Sequence, residues 1–192
     1  MPNNGHTPDN VSAADGERSF PDSLRDQIRH EFTAARQYLA AAVYLDTLRL
    51  PRLAGVCYRG GDDKRGHALR MIQYLLDRDI PVQIGGLDEI VPTFDSARSA
   101  VDFMLRREQR LADRLNALSR TAAETGDYLG EQFVQWFLRD QLEEVARMTT
   151  LLAVCDRADG NLFDVEDFVA RELQRPSKPD PAAPKMAGTT RI

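Results

Sequence analysis

Four groups of side chains able to coordinate a cation fall where a helix should present apolar residues to a core. They are Glu31, then Lys64 with His67, then Glu108, and finally the run Asp140-Gln141-Leu142-Glu143-Glu144. Apolar residues flank each group at alternating steps of three and four, the spacing of one helix face. A carboxylate on such a face is costly unless it is protonated, paired or bound to a cation. Glu31, Glu108 and Glu144 each lie near the middle of their segment, so they can meet at one level with the His67 imidazole beside them. Carboxylate oxygens and an imidazole suit iron in either of its common charges and leave positions open for dioxygen. Lys64 is the exception, because an ammonium is a donor only. It lies three residues before His67 and so shares its face.

Glutamate at position 64 would complete the Glu-x-x-His unit of carboxylate-bridged di-iron bundles. Lysine changes the local charge by two units, and an ammonium about 4 Å from a dication is strongly repelled at an effective dielectric of about 20. The same ammonium can pair with Glu31, Glu108 and Glu144. Tyr38 and Gln141 stand on the same inward stripes, where they could hydrogen-bond the ligating carboxylates. The Asp140/Glu143 pair reads equally as a solvated face of its helix.

The elements that must position these groups read as helices. The first opens at Pro21-Asp22-Ser23 and carries Leu24, Ile28, Glu31, Ala35, Tyr38, Ala42 and Leu45 on one stripe. Pro51 opens a second, with Leu53, Cys57, Gly60, Lys64, His67, Met71 and Tyr74. Residues 80–94 carry prolines and a glycine pair and are not helical. Their length fits a long crossover between parallel neighbours. A third helix spans about 95–124, with Val101, Leu105, Glu108, Leu111, Leu115 and Leu118 inward. A fourth ends near Ala158, with Phe133, Phe137, Gln141, Glu144, Met148, Leu151 and Cys155 on one stripe. A short fifth covers 162–172. The expectation is an all-α four-helix bundle about 40 Å long. Residues 1–20 and 173–192, rich in Pro, Gly and polar residues, are expected to be mobile tails around a domain at 21–172.

The 192 residues carry a formal charge of -5, which excludes the basic footprint of a nucleic-acid binder. No apolar run reaches a membrane span and no secretory signal is evident, so the expected location is the cytoplasm, with no membrane partner. Cys57 and Cys155 are too few for a disulfide framework.

Taken jointly, the runs Ile28-Arg29-His30-Glu31-Phe32-Thr33-Ala34-Ala35-Arg36-Gln37-Tyr38, Gly126-Asp127-Tyr128, Gln135-Trp136-Phe137, Asp140 to Glu144 and Asn161-Leu162-Phe163 with Glu166 and Phe168 resemble the ferritin family, in particular its non-haem bacterial and actinobacterial members. The resemblance covers about residues 20–172. It implies a ferritin-like fold, iron as cargo, and self-assembly into a hollow 24-subunit shell holding a ferric mineral. It further implies that Glu31 and His67 hold one iron and Glu108 and Glu144 a second, with Gln141 nearby. Asp63, Asp140 and Glu143 match the third iron site of bacterial members. The bridging glutamate of the family is replaced by Lys64, a replacement similar to that in the vertebrate ferritin light chain. Arg65 stands where haem-binding members carry methionine, so haem is not implied. Gly60, Gly61 and Gly66 lower the helix propensity of the second helix and read as a helix relaxed around an altered site.

The expected function is an iron-storage shell subunit whose ferroxidase chemistry is weakened or lost through Lys64, alone or co-assembled with an active subunit. Two other readings stand beside it. One is an active ferroxidase with a rearranged or mononuclear centre. The other is a metal-free structural shell subunit whose acids pair with Lys64.

Overall fold

Helix breakers and caps divide the chain as the periodicity requires. The computed structural model describes residues 19–173 and 180–189. It contains α1 (Phe20–Thr47), α2 (Pro51–Leu76), α3 (Ala97–Glu124), α4 (Tyr128–Ala158) and α5 (Leu162–Phe168), the last continued by a π-helical turn over Val169–Leu173. Among the described residues there is no strand. The expected first cap lies too far along the chain. Ser19 caps α1, its hydroxyl accepting from the Asp22 amide at 3.3 Å, because Pro21 is best tolerated inside the first turn. Ser96 and Ser99 form a reciprocal capping box that starts α3. Asp159 in the left-handed region (φ 44°) and Gly160 (φ 87°) end α4.

The crossover from α2 to α3 is anchored in order along α1. Arg25 Nε donates to the Pro81 carbonyl (3.1 Å), Thr33 Oγ1 accepts from the Asp88 amide (3.2 Å), and Gln37 brackets Val91 through both amide atoms (2.8 and 2.9 Å). Tyr44 then meets Phe94 edge-on at 5.2 Å. The crossover therefore climbs beside α1 and delivers α3 parallel to α2, the arrangement its length implies.

Every residue assigned to an inward stripe of the third helix is buried, as are Leu53, Cys57, Gly60, Lys64, His67 and Met71 of the second. The buried apolar residues form two separate cores. One gathers Tyr38, Leu45, Leu53, Met104 and Met148 with Val165 of α5 and Val169 of the π-helical turn. The other gathers Phe20, Leu24, Ile28, Met71, Leu115 and Phe137. The polar groups occupy the layer between them. Phe163 lies outside both cores, 87% exposed. Cys57 and Cys155 are buried free thiols.

The fifth helix docks through a charge. The start of α2 has no side-chain cap of its own, and Glu166 accepts from the Arg52 and Leu53 amides at 3.0 and 2.8 Å. A carboxylate there also complements the positive end of the helix dipole.

Of the two segments expected as tails, residues 1–18, 174–179 and 190–192 lie outside the described residues. Residues 180–189 are described, and they lie across α2 and α4. Gly60 has a packing reason that the relaxed-helix reading lacks. A Cβ there would lie 2.7 Å from the Tyr38 ring, which is itself fully buried. We expect Gly60→Ala to lower the thermal midpoint. Alanine gains up to about 1 kcal/mol of helix propensity, but displacing a buried ring costs about 1–3 kcal/mol. Calorimetry of the variant decides the sign, and a raised midpoint contradicts this account.

Candidate metal centre

Each polar group reaches the central layer from a different helix. Glu31, Lys64, His67, Glu108, Gln141 and Glu144 are all buried, Glu31 and Glu108 at 0% exposure and Lys64 at 1%. Side chains midway along four parallel or antiparallel rods arrive at the same height, which is why the spacing within each helix sufficed to bring them together.

The centre of the layer is an ammonium, not an open cavity. Lys64 Nζ lies 2.8 Å from Glu108 Oε2 and donates to Gln141 Oε1 at 2.9 Å. Gln141 Nε2 in turn donates to Glu108 Oε2 at 2.6 Å and to the Glu108 carbonyl at 3.0 Å. This closed triangle holds the Glu108 carboxylate on the lysine. Burial alone would lower the Lys64 pKa, but the negative charges of Glu108, Glu31 and Glu144 outweigh it and push the pKa up. The lysine is therefore charged at any physiological pH.

Glu31 sits on the other side of the layer. Its Oε1 accepts from Gln27 Nε2 at 2.8 Å, and its Oε2 faces His67 Nδ1 at 3.6 Å, too long for a hydrogen bond. Burial raises the Glu31 pKa, yet His67 and the charge of Lys64 together hold it below its ordinary value. His67 turns its other nitrogen outward, with Nε2 3.1 Å from Asp140 Oδ2. Burial opposes a charged imidazole, but the bond to Asp140 and the nearby Glu31 carboxylate together prevail and push its pKa up to about 9. Trp136 and Phe137 hold the ring edge-on at 5.5 and 5.4 Å. Burial would raise the Asp140 pKa, but its bond to His67 and the charges of His67, Lys64 and Arg147 together hold it below its ordinary value. Glu144, by contrast, is raised by burial, with Arg147 Nη1 at 3.1 Å on its solvent side.

Three buried atoms in this layer have no hydrogen-bond partner: Glu31 Oε2, His67 Nδ1 and Glu108 Oε1. Among the described residues, no three His, Cys, Asp or Glu side chains are gathered as a metal-binding group. The reason is visible in the pairing. Glu108 is drawn to Lys64, His67 is turned toward Asp140, and Glu144 leans toward Arg147.

Tyr38 is buried beside this layer, its pKa raised by burial and by the charges of Glu108 and Glu144. Asp63, Asp140 and Glu143 line a pocket of about 580 Å³ that opens from His67 to the surface between α2 and α4. Burial raises the Asp63 pKa. Three contributors carried no mark in the sequence reading. Gln27 lies four residues before Glu31 on the inward stripe, so helical spacing could have found it. Asp180 and Met186, which also line the pocket, carry no periodic signal.

The comparisons agree with this architecture. The pattern of the ferritin-like domain matches residues 22–158. Ferritin BfrB of Mycolicibacterium smegmatis is 48% identical over 165 residues, covering 86% of this chain and 91% of that protein. Ferritin BfrB of Mycobacterium tuberculosis is 49% identical over 150 residues, covering 78% and 83%. A bacterial non-heme ferritin of Staphylococcus aureus is 30% identical over 133 residues, covering 69% and 80%. Among solved structures, an open-pore ferritin from Archaeoglobus fulgidus superposes with a TM-score of 0.78 at 21% identity, covering 82% of this chain and 97% of that one. With a family match across most of its length, relatives near half identity and a shared bundle, this chain belongs to the ferritin family.

Proposed function

We propose that this protein is an iron-storage ferritin subunit that contributes to a hollow shell but oxidises Fe(II) at its bundle centre weakly or not at all. The observation that carries this reading is the buried Lys64–Glu108 pair at 2.8 Å, closed by Gln141. Two dications at this layer would need Glu108 as a ligand and would sit against a fixed ammonium. Their gain must exceed the repulsion and the cost of leaving a buried lysine without its partner. Fe(II) is then cargo for the shell rather than substrate for this centre. The acids lining the pocket, Asp63, Asp140 and Glu143, offer oxygen donors to passing cations or to mineral.

A shell subunit of this kind works alone as a slow store or together with a subunit whose centre is intact. The proposed shell has 24 subunits, and the proposed site is the cytoplasm. No helix among the described residues is long and apolar enough to cross a membrane. The set Glu31, His67, Glu108 and Glu144 is the ancestral ligand set in this proposal, with Gln141 now serving the lysine. A second reading, a single iron between Glu31 and His67, is favoured by one observation: Glu31 Oε2 and His67 Nδ1 face each other without a hydrogen bond.

The direct test is aerobic Fe(II) oxidation followed by absorbance. The unmodified protein should show only the slow phase of surface mineral growth, and Lys64→Glu should gain a fast, saturable phase. A fast saturable phase in the unmodified protein would defeat the proposal. Binding of one Fe(II) per chain under anaerobic calorimetry, lost in Glu31→Gln, would favour the second reading.

The same pair yields a stability prediction. Lys64→Met leaves Glu108 buried without a counter-charge and should cost about 3–5 kcal/mol in denaturant unfolding. Adding Glu108→Gln should recover most of that loss, because the orphaned charge is gone. A neutral single variant would mean that water or another group already satisfies Glu108.

A further inference from the structure

We propose that Met186 is a site of reversible oxidation to the sulfoxide, and that this modification tightens the C-terminal segment across the pocket beside His67. Three contacts hold residues 180–189 there. Trp136 Nε1 donates to Asp180 Oδ2 at 2.7 Å, the Ala187 amide donates to the Leu69 carbonyl at 3.1 Å, and Arg70 Nη1 donates to Met186 Sδ at 3.2 Å. The third is the weakest in kind, because a thioether is a poor acceptor.

Arg70 is the reason an added oxygen would be held. Its guanidinium lies 5.3 Å from the centre of the Trp136 ring, and its Nε is buried with no hydrogen-bond partner. A cationic donor left unmatched out of water is unfavourable. A sulfoxide oxygen on the neighbouring sulfur is a strong acceptor and would form a charge-assisted hydrogen bond with this guanidinium. The pocket that Met186 lines also carries Asp62, Asp63, Arg70 and Arg139, so the larger, more polar group meets a partly polar space rather than an apolar core.

Selectivity follows from position. Met71, Met104 and Met148 are at most 1% exposed, whereas Met186 is only partly buried and lines the open pocket. The oxidant is a hydroperoxide. Its O–O bond breaks, one oxygen becomes the S=O oxygen, and the other leaves as water with both protons when the oxidant is hydrogen peroxide. Sulfur loses two electrons and the peroxide gains them. Reduction by a methionine sulfoxide reductase restores the thioether. The inference does not depend on whether this subunit oxidises iron.

The test treats the assembled full-length protein with hydrogen peroxide and follows each methionine by peptide mass spectrometry. Hydrogen exchange of the peptide containing Ala187, and emission from Trp136, the chain's single tryptophan, report on docking. Met186 should gain oxygen several-fold faster than Met71, Met104 and Met148, and exchange at Ala187 should then slow several-fold. Met186→Leu should abolish the response to peroxide. Met186→Gln, whose amide oxygen can accept from Arg70, should dock more tightly than Met186→Leu without any oxidant. The proposal is overturned if Met186 reacts no faster than the buried methionines or if oxidation speeds exchange. It also fails if Met186→Leu responds like the unmodified chain, or if Met186→Gln docks no better than Met186→Leu.

Discussion

Three glutamates buried between two apolar cores can persist only if positive charge is buried with them. In this bundle that charge is covalent. The Lys64 ammonium sits on Glu108 and within the field of Glu31 and Glu144, while His67, with its raised pKa, faces Glu31 on one side and Asp140 on the other. Arg147 meets Glu144 at the rim. Each acid thus has a cation supplied by the chain within the same layer. Gln27 and Gln141 complete it by fixing the carboxylates that the cations attract.

This arrangement separates two properties that a di-iron centre joins. A metal layer stabilises a bundle only while it is loaded, whereas a lysine does so at all times and cannot leave. The cores above and below gain from this, since the layer between them holds one geometry. In the function proposed above, the cost falls on reactivity, since Glu108 gives an oxygen to Lys64 and His67 turns its Nε2 toward Asp140. What remains open to solvent is the acidic pocket, and the C-terminal segment lies across it.

The sequence exposed the bundle and its polar layer with little ambiguity, because helical periodicity maps directly onto burial when helices are long. Glu31, Lys64, His67, Glu108, Gln141 and Glu144 were identifiable from their neighbours alone. Their pairing was not, since it depends on distances between helices that no spacing within a helix contains. Lys64 choosing Glu108 over Glu31, and His67 choosing Asp140, are such cases. The glycines of the second helix were misleading for a related reason. Propensity describes Gly60 as a weak helical residue, yet the Tyr38 ring fills the space that its missing Cβ leaves. Residues 180–189 were hardest to read. Their contacts rest on single side chains, Asp180 and Met186, in a proline-rich segment whose composition suggests a solvated tail.

The central claim is that a fixed ammonium occupies the place of bridged metal ions. Iron-edge anomalous diffraction from crystals soaked anaerobically in Fe(II) addresses it most directly. The account predicts that Lys64 Nζ stays on Glu108 with no iron between them, and that any ordered iron lies among the pocket acids. Two irons flanked by Glu31 and Glu108, with the lysine swung away, would contradict it.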